Sequence, residues 1–391
     1  MIRISSLLIF YLFLNIIVAV FGWYIKTFDA SEVRYLISLP LLLVILVFTR
    51  YSADNKAILV FTLFFVLYLI IITLGISSDF TVSLSTALKY TFSILMLVVA
   101  VQFKKIEPIG FERFTIAVAL LIYINLIIAN IAGIGQQPYG RDSIFLGGGS
   151  VFQAYILVYN MLLVLLFARE KYKFLHYVIN LLPILFIFRR GAILVAIVIG
   201  VLYFLTQFRT IRIRAFMIGL IIVTISYSLF TDQWVPVYEQ RMEVSRTEIE
   251  ERPGRWAEFR NINIILLNEE LVPRLIGVEP FNYNLYAGVR RSLHTDFAVI
   301  LFSYGYIGFF LYLIFNGFLF YRIYQTWGTK WFLLTATPFV FLSFSGQYYF
   351  FTALTMYYFI IGLMLNPRTR IILDEKTTEL KQKKKYNPIR S

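Results

Sequence analysis

Long apolar runs separated by short polar or basic connections make up most of this chain. Runs of a length to cross a hydrocarbon core of roughly 30 Å lie at Ser6 to Trp23, Tyr35 to Thr49, Ile58 to Ile76, Leu84 to Val101, Phe114 to Ile134 and Val151 to Ala168. Further runs follow at Phe174 to Phe188, Gly191 to Phe208, Ala215 to Phe230, Phe297 to Tyr321, Trp331 to Phe344 and Tyr348 to Leu365. The pattern predicts an all-α polytopic membrane protein of about twelve crossings, with both termini on one side. Only Arg189 and Arg190 divide Phe174 to Phe208. As one helix it would be about 50 Å long with two arginines mid-membrane, so two helices joined by an outer hairpin at that pair are expected. Trp331 to Phe344 is short and carries Pro338, which leaves open a re-entrant hairpin ending near Ser345, Gly346 and Gln347.

The connections holding Arg50 and Lys56, Lys104, Lys105 and Arg113, Arg169, Lys171 and Lys173, Arg209, Arg212 and Arg214, and Arg322 and Lys330 all fall on one side of this count, as does the C-terminal tail. That side is cytoplasmic by the positive-inside rule. Residues 1–230 then hold nine crossings, 231–295 form one large external (periplasmic) loop, 296–365 hold three more crossings, and 366–391 are a basic cytoplasmic tail. The first run follows a single basic residue, Arg3, and has no small-residue cleavage site before Trp23, so it reads as a retained span.

Composition narrows the class. With 59% hydrophobic and 15% charged residues the chain cannot cover its apolar surface with polar groups, whereas a bilayer solvates that surface directly. The formal charge of +14 lies largely in the short connections and in the tail KQKKKYNPIR, an arrangement for topology and anionic lipid and not for nucleic acid. There are no cysteines, which removes disulfides, thiolate metal sites and cysteine nucleophiles. The two histidines, His176 and His294, fall on opposite sides of the predicted topology, so no histidine-rich metal cage is expected.

The external segment carries the candidate chemistry. A helix is expected over Val237 to Glu251, ended by Arg252-Pro253-Gly254, and a second over Arg255 to Leu267 with Trp256, Phe259, Asn263 and Leu266 along one side. External loops are normally poor in Arg, yet Arg241, Arg246, Arg252, Arg255, Arg260, Arg274, Arg290 and Arg291 lie here, with Arg189 and Arg190 on the same side. Guanidinium groups hold phosphate through paired donors. The alternative is pairing with the loop's own acids, Glu279 among them, which suits Arg241 and Arg246 best. His294 precedes the span that begins at Phe297, so its imidazole is expected near the outer interface, where it can take a hydroxyl proton while Asp296 or a loop carboxylate fixes its tautomer. An interfacial histidine without chemistry is the alternative. Asp29 and Glu32 in the first external loop are a rival base, or a solvated pair. Lys89, about two turns inside its span, either snorkels or contacts substrate. Arg141 and Asp142, before Gly147 to Gly149, are a further candidate contact or part of a plain loop.

Two stretches resemble the O-antigen polymerase and O-antigen ligase superfamily of bacterial polysaccharide assembly. HTDFAVILFSYGYIGFFLYL, from His294, is similar to the family's His-Asn-x-aromatic segment and the glycine-containing helix after it; FRRGAILVAIVIGVL, from Phe188, is similar to its Ser-Arg-Gly opening of a span. PGRWAEFRNI followed by LIGVEPFN resembles the family's Gly-Arg helix and Gly-x-Gly turn. Arg189, Thr295 and Val278-Glu279 depart from the family's usual residues. The resemblance implies a metal-independent membrane glycosyltransferase without a cofactor, in the bacterial inner membrane, its site facing the periplasm. The donor would be a saccharide on undecaprenyl pyrophosphate. His294 takes a catalytic role, Arg190 and Arg255 take phosphate-binding roles, and Arg189, Arg260, Arg290 and Arg291 stand beside them. A chain-length regulator protein is a candidate partner. Polymerase and ligase differ in the acceptor, a lipid-linked repeat or lipid A core, and the modest loop favours polymerase. A flippase for the same lipid-linked sugars is the reading from another class; it predicts charge lining the spans and repeat symmetry, and apart from Lys89 the predicted spans are nearly charge-free.

Overall fold

The computed structural model describes residues 4–21, 55–103, 106–131, 151–187, 190–205, 255–281, 293, 295–344 and 351–373. These residues form helices α1 (Ile4–Phe21), α2 (Lys56–Ile76), α3 (Phe80–Val101), α4 (Pro108–Ile131), α5 (Val151–Phe167), α6 (Glu170–Ile187) and α7 (Arg190–Leu205). They continue with α8 (Arg255–Asn268), α9 (Leu271–Ile276), α10 (Asp296–Phe344) and α11 (Phe351–Leu365), and there is no strand among the described residues. Four helices are long and apolar enough to cross a membrane: Lys56–Ile76, Ser83–Val101, Pro108–Ile128 and Asp296–Phe344. Shorter apolar helices stand beside them at Ile9–Phe21, Gln153–Phe167, Gly191–Phe204 and Phe351–Leu365. The chain is therefore a helical membrane protein. The expected runs at 35–49 and 215–230 and the loop helix at 237–251 lie outside the described residues.

Helices that are apolar all round belong at the centre of such a bundle, and α5 and α11 are buried along almost their whole lengths. α3 and α11 run parallel. Ser93 Oγ, past the midpoint of α3, meets Thr355 Oγ1 near the start of α11 at 3.0 Å, and Asn366 Nδ2 donates to the carbonyls of Ala100 and Phe103 at 3.2 and 2.9 Å near the ends of both helices. Gly362 permits the close approach between them, because a Cβ there would lie 2.5 Å from the Leu97 carbonyl oxygen. α2 covers one side of this centre and exposes Val60, Leu63, Phe64, Leu67, Ile71 and Leu74, an apolar stripe suited to hydrocarbon. α4, α6 and α7 cover the other side.

The described part of the stretch from Phe174 to Phe208 lies in two helices, α6 and α7, as the spacing predicts. α6 and α7 are antiparallel: the Tyr177 hydroxyl donates to the Ala196 carbonyl, and Lys173 Nζ donates to the Tyr203 hydroxyl at 2.9 Å.

α10 departs from expectation. Its backbone is non-helical at Gly305 (φ 61, ψ −165) and Gly328 (φ 79, ψ −177), dividing it into segments α10a (296–304), α10b (306–327) and α10c (329–344). The chain reverses at both glycines. Phe320 packs on Phe332 and Phe339, their ring centroids 6.2 and 5.5 Å away, so α10b and α10c are antiparallel. Phe297 packs on Phe309 and Tyr312 at 6.5 and 6.3 Å, whereas a straight helix would separate residues 297 and 309 by about 18 Å. The expected single crossing from Phe297 to Tyr321 is thus a half-helix that turns back onto a full one.

α2 gives the depth of that half-helix. Phe61 meets Phe315 edge to face and Phe65 stacks on it, Phe65 packs on Tyr312, and the Tyr68 hydroxyl donates to the Tyr304 carbonyl at 3.2 Å, so α10b descends beside α2. Phe297, level with Phe309 and Tyr312, therefore lies near the middle of α2. α10a starts at about mid-depth of the bundle and rises to Gly305, which corrects the expectation that this helix begins at the outer interface.

Broken helices in hydrocarbon need partners for their freed backbone groups, and at the Gly305 break two carbonyls are taken by other segments. Tyr68 takes the Tyr304 carbonyl, and Val278 N–H donates to the Phe302 carbonyl at 3.0 Å. Phe281, at φ 59, donates its N–H to Ser303 Oγ at 2.9 Å. The Leu275–Gly277 turn lies backbone to backbone on the 303–305 turn: a Cβ on Gly305 would fall 2.5 Å from the Leu275 carbonyl.

Candidate functional site

α10a opens with a cap. Ala298 N–H donates to Thr295 Oγ1 at 3.1 Å, which places Thr295 at the N-cap and Asp296 in the first turn, where a carboxylate suits the helix dipole. Asn and Ser, the residues the resembled motif usually has at this position, are caps of the same class.

Asp296 is 1% exposed, although a carboxylate at mid-membrane costs about 2.5–3.5 kcal/mol on insertion scales. Its surroundings are phenolic. The carboxylate is within electrostatic reach of the hydroxyls of Tyr90 on α3, Tyr159 on α5, Tyr312 on α10b and Tyr358 on α11. Tyr357 joins them, its ring centroid 5.4 Å from that of Tyr159 and 5.1 Å from that of Tyr358. Tyr358 donates to Asn316 Oδ1 at 3.3 Å, while the Tyr90, Tyr312 and Tyr357 hydroxyls have no hydrogen bond of good geometry among the described residues. All five tyrosines are fully buried. None of them stands out in the linear sequence. The available signal was a tyrosine roughly two to three turns into each of α3, α5 and α11, helices whose starts lie at one end of the bundle.

α8 packs against α10a. Ile262 and Leu266 form a small core with Ala298, Leu301 and Phe302, and Leu293, the residue before His294, packs on that core. Phe309 joins the starts of the two helices, with ring centroids 5.6 Å from Phe259 of α8 and 6.5 Å from Phe297 of α10a. Arg255 is the first residue of α8, one turn before Phe259. The structure thus sets the beginning of the helix led by Arg255 and the beginning of the helix that follows His294 on either side of one ring.

Of the residues expected to act, His294, Arg189, Arg290, Arg291, Arg141 and Asp29 lie outside the described residues. Arg190 and Arg255 are placed as the first residues of α7 and α8, and their side chains lie outside the description. Arg260 is exposed on α8, and Asp296 is buried as described above. Lys89 is half-buried with its Nζ 5.9 Å from the centroid of the Phe351 ring.

Two side chains have roles other than those expected. Arg274 caps the C-terminus of α8, its Nε donating to the Leu266 carbonyl at 3.2 Å and its Nη2 to those of Leu267 and Glu269 at 2.8 Å, so these donors serve a helix end. Glu279 is 3% exposed, and among the described residues its hydrogen-bond partners are serines, not an arginine. Both of its oxygens accept from Ser78 N–H at 3.0 Å, and Oε1 also accepts from Ser77 Oγ at 3.1 Å and Ser83 Oγ at 3.3 Å. The carboxylate sits at the start of α3 and ties the 277–281 segment to the α2–α3 connection, which gives Glu279 a physical reason to stand where the resembled turn has glycine.

No group of three or more metal-ligating side chains occurs among the described residues. The fold and its apolar helices define a helical membrane protein with a polar, hydroxyl-rich interior at the start of α10a. No family model matches the chain, and no curated protein is significantly similar to it.

Proposed function

We propose that this protein is a metal-independent glycosyltransferase of the bacterial inner membrane that polymerises a surface polysaccharide. It takes a growing saccharide from undecaprenyl pyrophosphate and passes it to a lipid-linked repeat unit, within a frame of about twelve crossings, with cytoplasmic termini and a periplasmic site. The acceptor hydroxyl oxygen bonds to the anomeric carbon as the bond to pyrophosphate breaks, its electron pair leaving on the phosphate oxygen. His294 takes the hydroxyl proton. Arg190, Arg255 and Arg291 stabilise the charge gathering on the pyrophosphate.

The observation that supports this reading most directly is the ring of Phe309 between Phe259 and Phe297, which brings together the two helix starts that carry the resembled motifs. Incubating purified protein with undecaprenyl-pyrophosphate-linked repeats and resolving the products on a gel tests it. A ladder is expected from the wild type, and His294→Ala should abolish it. Loss of Arg255 should cost on the order of 3 kcal/mol in the barrier, a slowing of more than a hundredfold. Wild-type ladders from both variants would refute the assignment, and transfer seen only when lipid A core is supplied would make the protein a ligase.

One observation favours the flippase reading: a half-helix that starts at mid-depth beside a buried carboxylate is a feature of transport sites. Against it, Asp296 and its tyrosines are sealed from solvent in this conformation. Translocation of the lipid-linked sugar in vesicles without chain lengthening would decide for it.

A further inference from the structure

At the opposite end of the bundle, where α6 begins, α7 ends and α10 turns at Gly328, two lysines converge on one tyrosine. Lys330 Nζ sits 3.8 Å from the centroid of the Tyr203 ring, while Lys173 Nζ donates to the Tyr203 hydroxyl at 2.9 Å. The nearby acids are already engaged: Glu170 with Lys173 at 2.6 Å, and Glu112 with Arg169 at 3.1 Å. Among the described residues no carboxylate lies within ion-pair distance of Lys330. Trp327 and Trp331 form an aromatic wall beside the pair, 5.8 Å between ring centroids, and Trp331 also packs on Tyr203 at 6.1 Å.

Lys330 is half-buried beside a turn and outside both apolar runs of α10b and α10c, so a ligand can reach it from the bundle end. Loss of solvent, with Lys173 adding its own charge, pushes its ammonium down to about 8. An anion placed against Lys330 and the remaining N–H of Lys173 would relieve both effects. Paired indoles at the end of an apolar bundle mark the depth of the lipid headgroups, and a basic recess between membrane helices at that depth suits a headgroup phosphate.

We propose that Lys330, Lys173 and Tyr203 form a binding site for the phosphate of an anionic phospholipid, with Trp327 and Trp331 against its glycerol and first methylenes. The site is separate from the proposed transferase centre and does not depend on that reading.

The test is the thermal midpoint of the purified full chain in a neutral detergent, titrated with phosphatidylglycerol, phosphatidylcholine or inorganic phosphate. Phosphatidylglycerol should raise the midpoint, and the other two should not. Lys330→Gln should shift the concentration giving half the rise upward by roughly fivefold or more, as expected for one cation at a membrane surface. Lys330→Arg should keep most of the effect, and Lys171→Gln, which removes an exposed cation nearby, should leave it unchanged. An unaltered response in Lys330→Gln, or an equal loss in Lys171→Gln, would overturn the proposal. An equal rise with inorganic phosphate would overturn the lipid as its ligand.

Discussion

Replacing Gly305 with alanine tests the reversal in α10 most sharply. At φ 61 and ψ −165 the residue occupies a region that is essentially restricted to glycine, and a side chain there costs of order 1–3 kcal/mol in backbone strain. The added Cβ would also fall 2.5 Å from the Leu275 carbonyl and from the Gly277 nitrogen, backbone atoms that cannot rotate away. Forcing them apart adds about 1–3 kcal/mol. Together the two terms give about 2–6 kcal/mol. Gly328 separates them, because it has similar backbone angles (φ 79, ψ −177) but open space around its missing Cβ. Its alanine variant should lose only the first term, about 1–3 kcal/mol. Gly317, helical and uncrowded, should be neutral or gain about 0.5–1 kcal/mol. Thermal stability in detergent, followed by size-exclusion chromatography after heating, should rank Gly317→Ala at or above wild type, Gly328→Ala below it and Gly305→Ala lowest. If Gly305→Ala survives heating as well as Gly328→Ala, the two turns do not touch as described and the placement of α10a at mid-depth loses its support.

Other outcomes follow from single side chains. Glu279→Gln should cost about 1.5–3 kcal/mol, since it replaces charge-assisted bonds to Ser77, Ser78 and Ser83 and turns an amide donor toward donors; unchanged heating behaviour and unchanged protease cleavage of the 277–281 segment would refute the clasp. Lys330, its ammonium lowered to about 8, should acylate with a midpoint near pH 8, well below an ordinary lysine. Because the folded state releases this proton before the unfolded chain does, the lysine's contribution should make stability rise with pH between about 8 and 10.5. Mass spectrometry of the labelled lysine gives the midpoint, and a value no lower than that of exposed Lys171 would show that the burial is absent.

The sequence by itself determined the class of this protein and most of its helical segments. Apolar length is a local property that a bilayer reads directly, so α2, α3, α4 and α11 lie within or close to the expected runs. The split between α6 and α7 was legible for the same reason, since Arg189 and Arg190 are costly at mid-membrane. So was the helix beginning at Arg255, from the Pro-Gly break before it. The reversal at Gly305 was not legible. An apolar stretch such as Phe297 to Tyr321 reads alike whether it crosses once or turns back, because what permits the turn is remote: the Tyr68 hydroxyl, the Val278 N–H and the close approach of Leu275. The tyrosines around Asp296 were hidden for a related reason, as they lie on separate helices and depth becomes comparable between helices only once they pack. Tertiary structure alone decided that Glu279 serves serines and that Arg274 caps a helix, because a buried charge takes the nearest fixed donors or acceptors, and packing sets which those are.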